Sequence, residues 1–88
     1  MKKTLIITFE VPDGSDLTQF HQVLKDYGVW ARITEHTWAI VTEDKTSEVR
    51  DKLIALLPST SRLMVLKSAN IASWRNVICS SEWLKKNL

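Results

Sequence analysis

Glu10 is the acid of greatest chemical interest in this chain of 88 residues. It ends a run of apolar and threonine side chains, Thr4-Leu5-Ile6-Ile7-Thr8-Phe9, just before the turn residue Asp13. In a dimer whose twofold axis passed near this point, two copies of Glu10 would face one another. Paired carboxylates in oxygen-only surroundings suit magnesium or manganese, so Glu10 is the candidate metal ligand and catalytic residue. A solvated acid at a strand end is the commoner situation, and one carboxylate per chain is a sparse metal site.

The other reactive side chains are scattered. His21 falls between apolar helix positions and reads as a partly exposed helix residue; His36 reads as a solvated turn residue. Cys79 lies beside two serines with no adjacent histidine, which fits a small inert side chain better than a nucleophile. No His, Cys, Asp or Glu set has zinc spacing, and two glycines cannot build a phosphate-cradling loop. Four tryptophans are many for this length. Trp38 alternates with Ile40 and reads as core, while Trp74 and Trp83 read as anchors of the C-terminal segment. Trp30, beside Arg32, is the pair expected on a partner surface.

Composition bounds the remaining classes. A chain this short hides only about 60–65% of the surface its unfolded form exposes, so covalent staples or self-association commonly support it. Cys79 is the single cysteine. An intramolecular disulfide is therefore excluded, and a reducing, cytoplasmic setting with a homodimer is expected. Twelve basic residues are spread among ten acidic ones for a formal charge of +2, a balance that neither proposes nor excludes nucleic acid. The apolar run after Met1-Lys2-Lys3 ends at Glu10, too short for a secretion signal, and no stretch reaches membrane-spanning length.

The elements that must position these residues follow from periodicity. Lys3 to Val11 reads as a buried strand, closed by the turn Pro12-Asp13-Gly14-Ser15. Asp16 opens a helix with Gln19 at capping-box spacing; Leu17, Phe20, Val23, Leu24 and Tyr27 form its apolar face, and Gly28 caps its end. Val29 to Thr34 and Thr37 to Thr42 read as a hairpin about Glu35-His36, without the glycine that tight turns favour. A second helix starts at Thr46 or Ser47 and runs to Leu57, before Pro58. Arg62 to Lys67 is the fourth strand. The pattern βαββαβ is that of a ferredoxin-like α+β domain: a four-stranded antiparallel sheet with both helices on one face. The body spans residues 3–67 of a single 1–88 domain. A tail, 68–88, ends in a short helix from Ser80 or Ser81 that is marginal alone and must dock through Trp83, Leu84 and Leu88.

Two helices cover one sheet face, so the other needs a cover. Leu5, Ile7 and Phe9 form the more apolar set and should meet the helices, leaving Thr4, Ile6, Thr8 and Glu10 on the open face. On the hairpin, Trp30 and Arg32 are expected on that open face, and Trp30 is expected to be more exposed than Trp38. The tail or a second copy of the chain would cover such a surface. Base stacking in the manner of RNA-recognition domains is the alternative, but their motif wants several aromatics. Here Trp38 stands alone, with Ile40, Glu43 and Ile6 at the other places.

Taken together, the body resembles the small CRISPR-associated adaptation proteins and the virulence-associated protein D group. The ending Ser81-Glu82-Trp83-Leu84-Lys85-Lys86-Asn87-Leu88 is similar to that of a set of short bacterial proteins, some labelled SinR family. A helix-turn-helix signature to match that label is missing. The resemblance implies a ferredoxin-like homodimer; members act as metal-dependent nucleases, toxin-like ribonucleases or non-catalytic scaffolds for DNA. Their first strand ends in a Tyr-Asp pair where this chain has Phe9-Glu10. The carboxylate lies one methylene farther out and the phenol is gone, which weighs against nuclease chemistry. The leading expectation is a non-catalytic module binding nucleic acid or protein. The alternatives are a weak divalent-metal-dependent nuclease using paired Glu10, and a protein-binding accessory factor or antitoxin.

Overall fold

The computed structural model describes every residue from Met1 to Leu88. The chain runs β1 (Lys3–Glu10), α1 (Thr18–Lys25), β2 (Trp30–Thr34), β3 (Thr37–Thr42), α2 (Thr46–Ile54), β4 (Arg62–Lys67) and α3 (Ser81–Asn87). The strands form one sheet in the order β2-β3-β1-β4, with every neighbouring pair antiparallel. The most apolar strand, β1, therefore lies inside the sheet, where both its edges are paired.

Side chains paired across antiparallel strands share a face. Leu5 lies opposite Ile40, Ile7 opposite Trp38 and Val65, and Phe9 opposite Leu63. This set meets α1 and α2: Leu5, Ile7, Phe9, Trp38 and Ile40 form one buried cluster with Phe20 and Leu24 of α1 and Val49 and Leu53 of α2. In each helix the two buried residues stand four apart, one turn along the same stripe. Phe9 and Phe20 meet edge to face, with ring centres 4.7 Å apart.

Local chemistry moves the helix ends slightly from their expected places. Asp16 accepts the Thr18 backbone N–H at 3.0 Å, a turn closed on its own chain, so α1 begins at Thr18 rather than at Asp16. That bond holds the Asp16 carboxyl below its usual range. In α2, Glu48 accepts the Lys45 N–H at 3.0 Å, the reach-back half of a capping box. This helix stops at Ile54, because Leu56 and Leu57 bond three residues back, to Leu53 and Ile54, before Pro58. Gly28 ends the α1 turn at φ +88, a conformation that favours glycine.

The β2–β3 hairpin turns at Glu35-His36 without a positive φ at either residue. An irregularity between Arg32 and Thr34 accompanies this turn. Such a bulge adds the twist that a glycine-containing primed turn would otherwise provide.

The tail crosses to the face opposite α1 and α2. Ala31 and Ala39, paired on that face, are buried, as are Thr4 and Leu84. The Thr4 hydroxyl donates to the Asn87 carbonyl, and the Ile78 N–H donates to the Ile33 carbonyl at 2.8 Å. Ser80 caps α3 by accepting the Trp83 N–H at 3.1 Å, and Trp74 Nε1 donates to the Ser81 hydroxyl at 3.2 Å. The tail thus covers part of the face from within its own chain. Leu84 is its buried anchor, while Trp74 and Trp83 are half-buried. No helix is long and apolar enough to cross a membrane.

Candidate functional site

Glu10 stands at the exposed end of β1 and lies opposite Arg62, the first residue of β4. Its Oε1 is 3.2 Å from Arg62 Nη1, and both side chains are open to water. Sequence reading passed over Arg62, because only the pairing of β1 with β4 in this register brings the two together. An exposed pair of this kind contributes about 0–1 kcal/mol. Arg62 engages one oxygen of this single carboxylate, and the chain contains no group of three His, Cys, Asp or Glu that could hold a metal. Within one chain, the donors around Glu10 do not fit magnesium or manganese.

Trp30 and Arg32 lie on the helix-covered face, not on the open one as expected. Their partners across the hairpin are Ile40 and Trp38, both residues of the helix-side core. Alternation along β2 defines two sets of side chains but not which set faces the helices; pairing with β3 decides it. The small Ala31 goes to the tail side instead, and the long side chains lean on the aromatic core. Trp30 and Trp38 have ring centres 5.3 Å apart; Lys25 Nζ lies 5.5 Å from the Trp30 ring, and the Arg32 guanidinium lies 5.7 Å from that of Trp38. Trp30 is half-buried while Trp38 is 2% exposed, so the expected order of exposure holds although the face is reversed.

His21 belongs to the same cluster, stacked on Trp38 at 5.1 Å. Burial lowers the pKa of its imidazole, and the nearby Arg32 and Lys25 lower it further. Its Nε2, Arg32 Nε and Trp38 Nε1 are buried without a hydrogen-bond partner. A neutral ring suits this place, because protonation would add a third cation. Tyr27, beneath Lys52 Nζ at 4.9 Å, has its hydroxyl pKa raised by burial and by Asp44 and Glu48. Burial also raises the Cys79 thiol, keeping it from the thiolate form that nucleophilic chemistry needs. His36 is exposed, its ring edge-on to Phe9.

A basic concavity that sequence reading did not find lies at the opposite end of β1 from Glu10. About 360 Å³ in volume, it is lined by Met1, Lys2, Lys3, Thr4, Lys67, Ser68, Asn70 and Asn87, with no carboxylate among them. Antiparallel pairing brings the start of β1 beside the end of β4, and so Lys3 near Lys67. Asn70, in the left-handed region at φ +67, lies where the chain leaves β4. Lys3 Nζ donates to the Glu43 carbonyl at 2.9 Å, while Lys2 and Lys67 have no acidic partner. Three lysines from two distant stretches become neighbours only through the sheet.

No family model matches the chain, and neither the curated proteins nor the solved structures contain a match.

Proposed function

We propose that this chain is a cytoplasmic, homodimeric module of the ferredoxin-like class that holds the phosphate backbone of a nucleic acid without cleaving it. The βαββαβ element order, with β1 and β3 at the centre of an antiparallel sheet, supports the ferredoxin-like reading. Kinship with the CRISPR adaptation and virulence-associated protein D group is part of the same proposal and favours its scaffold members over its nucleases. The observation that carries the binding role is the basic concavity. Lysine ammonium groups pair with phosphate as mobile point charges, and hydroxyl and amide groups beside them add donors. Such contacts position a backbone without reading sequence.

The test is fluorescence anisotropy with labelled single- and double-stranded DNA and RNA over a range of salt. Affinity should fall steeply as salt rises, and each of Lys2→Ala, Lys3→Ala and Lys67→Ala should lower the salt slope by about one. Absent or salt-insensitive binding would sink the proposal and move attention to a protein partner. The same substrates incubated with magnesium or manganese should stay intact. Cleavage that disappears in Glu10→Ala would replace this reading with the nuclease one.

A further inference from the structure

The two edges of the sheet are treated differently. At β2 the strand is bulged, and the tail engages it through the Ile78 to Ile33 bond. At β4 nothing comparable occurs. The Ser68 N–H donates to the Thr4 carbonyl at 2.9 Å, which sets the alternation along this strand. Residues 62, 64, 66 and 68 turn their peptide groups inward to β1, so Leu63, Val65 and Lys67 turn theirs outward. β4 has six residues, no proline and no bulge, and its charges stand only at its two ends. Beside this open edge, Met64 and Leu66 are 56% and 40% exposed on the face that the tail leaves partly uncovered. Strands at free edges are ordinarily protected by proline, central charge, a bulge or a cover.

We infer that the β4 edge pairs antiparallel with β4 of a second copy, joining two four-stranded sheets into one of eight. This rests on the self-association reading above and names its surface. A twofold axis perpendicular to the sheet keeps the helices of both copies on one side, and residues paired across it must then share a face. With Val65 on the axis, Val65 meets its own copy and Leu63 meets Lys67, all three through outward peptide groups. Met64 then lies against Leu66 on the tail side, twice by symmetry. Arg62 falls opposite Ser68, so no two like charges stand directly across from each other, a condition that cross-strand pairing rewards. The strand is thus complementary to itself in hydrogen bonding, and the pairing sets no like charges directly against each other.

The pairing has a consequence for Glu10. Glu10 lies opposite Arg62, three residues from the axis, so its two copies would be about 20 Å apart along the strands and about 14 Å apart across them. They could not share one metal ion. The two lysine concavities, each at a Lys67 end, would instead repeat on either side of the axis.

Light scattering on the eluting full-length chain tests the inference, with Met64→Lys/Leu66→Lys as the main variant. Both replaced side chains are exposed, so the core is untouched, while lysines would face lysines across the axis. Val65→Pro is the second variant: it removes an outward N–H that bonds nothing within the chain, a place where an edge strand accepts proline. The expected mass is twice the 10.1 kDa chain for the unaltered protein and the single-chain value for Met64→Lys/Leu66→Lys, with unchanged circular dichroism. A dimer that survives this variant overturns the interface and leaves the homodimer reading standing. A single-chain mass for the unaltered protein at every concentration overturns both, and open-ended assembly overturns the closed pairing. Should Val65→Pro unfold, the lysine variant decides alone.

Discussion

The two faces of this sheet are covered by different physics. On one, α1 and α2 seat Phe20, Leu24, Val49 and Leu53 against five large strand residues, all essentially removed from water. On the other, a tail with one seven-residue helix contributes a single buried side chain, Leu84, and lies over two alanines. Along β4 it leaves Met64 and Leu66 in water. The first face resembles a conventional core, closed by local elements with strong apolar stripes. The second depends on a few hydrogen bonds, such as Thr4 to Asn87, and on the close approach that alanine permits. Such segments open more readily than cores, because little apolar area is lost when they leave. The face with the weaker cover is also the one that leaves Met64 and Leu66 exposed beside the free edge.

Substitutions can break that contrast. Trp38→Ala on the helix side should cost the most, about 3–5 kcal/mol in urea unfolding, because the cavity lies under both Trp30 and His21. Leu84→Ala should fall near the lower limit for buried leucine, about 2 kcal/mol, since a detached tail can relax where a closed core cannot. Equal losses at the two sites would mean that the tail is as integral as α1. Ser80→Ala should remove about 1 kcal/mol by uncapping α3, and hydrogen exchange should show the loss confined to the tail.

The pH dependence gives a further check on the helix-covered face, where both His21 and Tyr27 lie. His21 titrates lower in the folded protein than its ordinary value of 6.5, so the unfolded chain binds more protons in that window. Stability should therefore fall as pH drops below about 6.5 through the lowered pKa, and His21→Gln should flatten this decline. Tyr27 gives the opposite limb: its raised pKa favours the protonated fold, so stability should fall as pH rises above 10. Glu10→Gln should change stability least, by about 0.5 kcal/mol or less, because water screens its pair with Arg62. A larger loss would show that the strand end is held more tightly than its exposure implies.

The helix-side core was legible because its signals are local. Leu5, Ile7 and Phe9 alternate, and Phe20 and Leu24 recur at one helical turn; both patterns follow from the strand and helix repeats alone. The left-handed Gly28, the single thiol and the capped start of α3 are equally short-range facts. The candidate surfaces were not legible, because each is assembled from distant stretches. Lys2 and Lys3 meet Lys67 only when β1 pairs with β4, and the same pairing brings Arg62 to Glu10.

The face of Trp30 shows the limit most plainly. Alternation establishes that Trp30 and Arg32 share a side, and that Ala31 takes the other; no residue of β2 says which side the helices will occupy. Pairing with Ile40 and Trp38 decides it, because those side chains already belong to the helix core. The sequence by itself therefore determined the elements, their order and the apolar set of each, since these depend on periods of 2 and 3.6 residues within one segment. Tertiary structure alone decided which edge stays unpaired, which face the tail takes and where the lysines gather. Those are relations between strands, and register between strands is written in neither one of them.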